Sequence, residues 1–168
     1  MQLFTNYLDS PLGKIEVSAT ETSLIRLYFV GAEKRPSSGC IETASSDPIL
    51  ACKEQLNAYF KGERQTFDLP IAFVTGTKFQ QKVWMGLQKI DFGETISYLE
   101  MARRLGNEKC IRAAGVANGN NPLSIILPCH RVIGSDGKLV GYGGDLWRKE
   151  WLLKHEMKFM KKNEWQLF

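Results

Sequence analysis

The chain of 168 residues is 43% hydrophobic and 24% charged, which excludes disordered and fibrous classes and allows one domain or two small ones. A chain of this size buries about 70% of its unfolded surface on folding, and its longest apolar runs fall far short of the roughly 20 residues a membrane span needs. The net charge of +4 is unevenly divided: residues 1–75 hold 7 basic and 9 acidic side chains (−2), and residues 76–168 hold 15 and 9 (+6), so the second part is expected to face an anion such as nucleic acid.

Residues 1–30 read as a small antiparallel sheet. Ser10-Pro11-Leu12-Gly13 is a turn signal, Ile15, Val17 and Ala19 alternate with polar residues, and Leu24 to Val30 is rich in β-formers. The start of the chain lacks both the basic residues and the apolar stretch of a secretory signal, which points to the cytosol and reduced thiols. Residues 31–48 have loop composition and place Cys40 as an exposed thiol. Pro48 to Phe60 has helical spacing at Ile49, Cys52, Leu56, Tyr59 and Phe60, with Pro48 at the start, Gly62 near the end and Cys52 in the core. Thr66 to Ile71 is expected to return as a short strand, and a domain boundary is expected near Thr75-Gly76, dividing the chain into 1–75 and 76–168.

The second part opens with a capping-box pattern at Thr77 to Gln80 and one amphipathic helix through Phe79, Val83, Trp84, Leu87 and Ile90, broken at Gly93. Ser97 to Glu100 repeats the pattern ahead of a helix that Gly106 ends, and Asn107 caps another with the body Lys109 to Asn118. Two short helices around a glycine turn have the outline of a helix-turn-helix. In the second of them the planar cation of Arg112 is followed by the small residues Ala113, Ala114, Gly115 and Ala117, which would let the backbone approach a partner closely. The same small residues also suit a helix packed tightly on its own core.

After Asn118-Gly119-Asn120-Asn121-Pro122, a strand is expected over Leu123 to Leu127, ending in Pro128-Cys129-His130-Arg131. A free thiol with a pKa of about 8.5 is only a few per cent ionised at neutral pH, so a nucleophilic cysteine benefits from a base beside it. His130 is the nearest candidate. The other histidine, His155, precedes Glu156 on a last helix, Leu146 to Met157, that Asp145 can cap. A carboxylate reaching the imidazole would complete a relay of Cys129, His130 and Glu156. The cysteines Cys40, Cys52, Cys110 and Cys129 have no C-x-x-C spacing and only two histidines to join them, so neither a zinc site nor a dense disulfide framework is expected.

The strings FQQKVW, GETISY, IRAAGVANGNNP, ILPCHRVIG, GYGG and EWLLKHE stand in one order over the last 80 or so residues. In this the chain resembles the O6-alkylguanine-DNA alkyltransferases, whereas its first part resembles their divergent N-terminal domain only in the order of strands and helix. The resemblance implies an α/β (α+β) fold: a small RNase H-like sheet-plus-helix domain, then a mostly helical domain carrying the helix-turn-helix and PCHR. It implies that Cys129 accepts the alkyl group, that His130 takes the thiol proton through a water, and that Glu156 holds His130. It further implies that Tyr98 protonates or hydrogen-bonds the departing guanine, and that Asn121 ties the turn within the site. Arg112 would fill the gap left by a base rotated out of double-stranded DNA, with Ala113, Ala114, Gly115 and Tyr98 at a minor-groove interface. Arg131 resembles a structural residue, and Val140, Tyr142, Gly143 and Trp84 would line the base pocket. Some relatives carry a serine where Gly143 stands, so bulkier O6 adducts are expected to be tolerated. A monomer that uses no cofactor and no metal, acts once per molecule and takes O6-alkylguanine, with O4-methylthymine open, completes the expectation. The rivals are a lesion-binding relative without transfer, which would lack the acceptor cysteine, a turning-over thiol hydrolase, and a sequence-specific regulator.

Overall fold

The computed structural model describes residues 2–32, 45–140 and 142–166, with side chains as far as Met160. The expected loop segment 33–44 with Cys40, and the last two residues of the tail, lie outside the described residues. The chain divides into two compact units, Met1–Val74 and Thr75–Phe168.

The first unit is a three-stranded antiparallel sheet in the order β1-β2-β3: β1 (Phe4–Ser10), β2 (Gly13–Ala19) and β3 (Leu24–Phe29). Its first hairpin pairs Phe4 with Ala19 through to Ser10 with Gly13. The turn closes because Gly13 takes φ +95° at no steric cost, while the Ser10 hydroxyl donates to the Gly13 carbonyl at 2.6 Å. Both faces of β2 are covered. Ile15, Val17 and Ala19 are fully buried on one, and on the other Ser18 bonds Thr5 at 2.9 Å. Helix α1 (Asp47–Phe60) packs Ile49, Cys52, Leu56 and Tyr59 inward, and burial pushes the Cys52 thiol up to about 12. The strand expected over Thr66 to Ile71 does not form. A single parallel bridge joins Leu24 to Ile71, flanked by Leu24 N–H donating to Pro70 O at 2.8 Å and Ala72 N–H to Leu24 O at 2.9 Å. Pro70 has no N–H to extend a ladder.

In the second unit, α2 (Lys78–Leu87) starts with the complete capping box: Thr77 Oγ1 accepts from Gln80 N–H, and the Gln80 side chain accepts from Thr77 N–H. The helix ends at Leu87, earlier than the apolar spacing suggests. Three tight turns follow, the last from Ile90 N–H to Leu87 O, and they keep Ile90 buried outside the helix. Phe79, which shares the helical apolar spacing, is exposed.

Strand β4 (Ile96–Ser97) leads into α3 (Tyr98–Arg104). Ser97 caps that helix by accepting from Glu100 N–H, but the Glu100 carboxylate takes Arg104 instead of completing a capping box. Gly106 reverses the chain with φ +88°. Asn107 then caps a single 3-10 turn, Glu108–Cys110, so α4 (Ile111–Gly119) begins two residues later than expected. Together α3 and α4 are the helix-turn-helix. Trp84 hooks α4 to α2: its indole N–H donates to the Ala117 carbonyl at 2.7 Å.

Leu123 to Leu127 is not a strand. The segment folds into a compact loop in which Leu127 N–H returns to Leu123 O at 2.9 Å and Ile125 takes φ +72°. A 3-10 turn, Cys129–Arg131, follows, and then β5 (Val132–Ile133), which pairs in parallel with β4. The last helix, α5 (Leu146–Gln166), runs nine residues beyond its expected end. Among the described residues no helix is long and apolar enough to cross a membrane.

Candidate active site

Cys129, His130 and Arg131 share one buried 3-10 turn, held from both sides. Cys129 N–H donates to Leu127 O at 2.7 Å, and Asn118 Nδ2 donates to the Cys129 carbonyl at 3.3 Å. Only 3% of Cys129 is exposed. Burial pushes its thiol up to about 11, against weaker downward pulls from an Asn121 hydrogen bond and the Lys149 charge.

His130 is fully buried, with Nε2 2.9 Å from Glu156 Oε1 on α5. An ionised carboxylate only accepts, so Nε2 carries the proton and Nδ1 keeps its lone pair. Nδ1 is buried with no hydrogen-bond partner. Burial lowers the His130 pKa, against the upward pull of Glu156, so the imidazole is neutral. Burial alone would raise Glu156, but His130 and Arg131 hold its carboxyl well below the usual range. Arg131 reaches Glu156 through Nη2 at 2.7 Å and through Nε at 3.0 and 3.2 Å, and Gly93 N–H adds a bond to Oε2 at 3.3 Å.

Asn121 builds the loop ahead of the cysteine. Its Nδ2 donates to Leu127 O at 2.7 Å and Leu123 O at 3.4 Å, and its Oδ1 accepts from Leu123 N–H at 3.0 Å. One side chain thus supplies the bonds that a neighbouring strand would otherwise give, and Leu123 to Leu127 can be buried without a sheet. Tyr98, the first residue of α3, donates from its hydroxyl to Val140 O at 3.2 Å. Burial raises its pKa, against an Asn118 hydrogen bond, and Cys129 raises it further. Tyr142 is also buried. Burial first and Cys129 second keep its hydroxyl protonated, and a Ser124 hydrogen bond opposes them.

Two family models match the chain. The 6-O-methylguanine DNA methyltransferase ribonuclease-like domain covers residues 3–73, and the DNA binding domain of the same family covers residues 78–158. The methylated-DNA–protein-cysteine methyltransferase of Mycolicibacterium paratuberculosis is 44% identical over 150 residues, 89% of each chain. That of Methanosarcina barkeri is 42% identical over 92% of this chain and 97% of the relative. This chain belongs to the methylated-DNA–protein-cysteine methyltransferases. The crystal structure of Mycobacterium tuberculosis O6-methylguanine methyltransferase aligns with a TM-score of 0.85 at 41% identity over 94% of both chains. The M. tuberculosis protein in complex with DNA aligns at 0.84, over 95% of this chain and 94% of that one.

Within this methyltransferase-family fold the structure separates the other expected residues. On α4, Arg112 and Ala113 are exposed and Gly115 is half-buried, where an added Cβ would meet the Tyr98 ring at 3.7 Å. Ala114 does not face outward as expected. It is fully buried with Ala117 on the inner side of the helix, and Ile111 and Val116 join Arg112 on the outer side. Trp84 is 2% exposed and bonded to α4, a core residue instead of a pocket wall. Val140 keeps its side chain half-exposed and contributes its carbonyl to Tyr98 and Lys149. An added Cβ at Gly143 would stand 3.2 Å from the Gly119 carbonyl, so this stretch abuts the end of α4. His155 stacks on Trp151 with centroids 4.8 Å apart and is not part of the relay.

Sequence reasoning missed Lys149. It is fully buried and donates to Val132 O at 2.6 Å and Val140 O at 3.0 Å. Burial lowers its pKa to about 8, and Cys129 pulls the other way. The one signal available was its spacing: seven residues, two helical turns, before Glu156, and therefore on the same face of α5.

Proposed function

We infer that this protein repairs DNA by moving a methyl or larger alkyl group from O6 of guanine onto Cys129, once per molecule. The observation that supports it is that Cys129 and His130 lie buried in one turn, with His130 neutral, its Nδ1 without a partner and its Nε2 on Glu156. Burial holds the thiol well above its ordinary range, so thiolate is scarce at neutral pH and a base must take its proton for the sulfur to attack. His130 Nδ1 is the acceptor, directly or through one water. The sulfur–carbon bond forms as the carbon–O6 bond breaks, and that electron pair goes to the guanine, which takes up one proton. Tyr98 supplies that proton or a hydrogen bond, and Asn121 and Lys149 hold the loops around the acceptor. The resulting thioether has no leaving group, so the protein does not recycle.

A stacked, paired guanine cannot present its O6-alkyl carbon in line to a buried sulfur, so the base must be rotated out of the duplex. The outer side of α4, with Arg112 among small or apolar neighbours, suits the minor groove, where sequence is read poorly and any site can be scanned. The protein acts as a monomer. Intact mass after incubation with an oligonucleotide carrying one O6-methylguanine tests the reading. One methylene gained on the Cys129 peptide, saturating at one per chain and absent in Cys129→Ser, is expected. Tight binding without mass gain would make it a lesion sensor instead, and product beyond one equivalent would make it a hydrolase.

A further inference from the structure

We propose that Arg131 is a positioning residue for proton transfer: its guanidinium saturates the Glu156 carboxylate and thereby keeps the His130 imidazole neutral and able to accept the thiol proton. The inference rests on the reading of Cys129 as acceptor and His130 as base. Glu156 receives one contact from His130 Nε2, three from Arg131 and one from Gly93 N–H, all between 2.7 and 3.3 Å. The guanidinium is itself fixed, with Nη1 donating to Ile90 O at 2.6 Å and its carbon 5.8 Å from the Phe92 ring centroid. Both charges are closed in, with side-chain exposures of 7% and 1%.

A lone carboxylate against an imidazole raises its proton affinity by about 1–3 pH units. A carboxylate already balanced by a bidentate guanidinium orients the ring with far less of that effect. Among the described residues, the charged groups acting on His130 are Glu156 and Lys149 from α5 and Arg131 from its own turn. The segment after α2 brings only neutral groups to this cluster, the Ile90 carbonyl on Arg131 and the Gly93 amide on Glu156, and α4 brings the neutral Asn118 to the Cys129 carbonyl. Two cations against one carboxylate leave an excess positive charge, which disfavours an imidazolium. Burial, which lowers the His130 pKa, acts in the same direction.

The chain has two histidines, so NMR of the full chain labelled at histidine Cε1 reads the ring directly, with signals assigned through a His155→Gln variant. In the unreacted wild type, His130 is expected to show no titration between about pH 5.5 and about 8.5. Arg131→Met should bring its midpoint into that window, a shift of about 1–3 units upward. Its single-turnover methyl transfer should then fall on the acid side and recover at high pH, whereas Arg131→Lys should keep His130 silent. A wild-type His130 that titrates within the window overturns the proposal whether or not any variant folds. So does a folded Arg131→Met protein whose His130 stays silent while transfer drops by one factor at every pH, the mark of a purely structural role. Failure of the wild type to take up a methyl group would sink the repair reading and leave the titration result standing.

Discussion

At the scale of single residues, the pairing of His130 with Glu156 was legible because the two stand in short strings, PCHR and KHE. What a string cannot show is which charges balance. Glu156 holds Arg131 as firmly as it holds His130, and Lys149, which reads as a solvated helix lysine, is fully buried. The sign of the Glu156 shift has a consequence for stability. Its pKa is depressed on folding, so its contribution is complete above the unfolded value of about 4.3 and fades as pH falls toward the depressed one. Glu156→Gln leaves the buried guanidinium without its counter-charge and should cost about 3–5 kcal/mol at neutral pH. Urea unfolding of the two proteins down the pH scale should show that gap narrowing below about pH 4.3, because the unfolded wild-type chain then takes up a proton that the folded carboxylate does not. A gap of constant size across that range would refute the assignment.

At the scale of elements, helix starts were the most readable feature because capping is local chemistry: Thr77, Ser97 and Asn107 each accept the backbone N–H that their sequence context promises. The run Leu123 to Leu127 was misread for an equally physical reason. All five residues are buried, and a short apolar run carries no period to separate a strand from a loop that satisfies its own backbone. The three bonds that make this possible sit on Asn121, which looks like an ordinary turn residue. Ile125 sits in that loop at φ +72° and 1% exposed. Ile125→Gly would relieve about 1–2 kcal/mol of backbone strain. It would also forfeit about 2–3 kcal/mol of burial, leave a cavity and free the unfolded chain. Burial should win, giving a net loss of about 1–3 kcal/mol of stability, read as a lower urea midpoint. A more stable variant would mean that strain dominates the loop.

At the scale of the whole molecule, the division of charge was legible by counting, and its reading as a nucleic-acid face agrees with the match of residues 78–158 to a DNA binding domain. Binding to undamaged duplex, followed by fluorescence anisotropy, should weaken steeply with salt and depend little on sequence. About 6–10 phosphate contacts would lose roughly 10³–10⁵ in affinity between about 50 and 200 mM. Affinity that ignores salt, or that picks out one sequence, would count against a scanning protein. Helix α5 adds a constraint on how the gene can change. Glu156 reaches His130 and Arg131, and Lys149 the Val132 carbonyl beside them, from positions two helical turns apart, and removing one codon between the two would swing one side chain by about 100° relative to the other. Substitutions among the intervening codons can be tolerated one by one, but their number is fixed, so this stretch should drift in spelling and never in length.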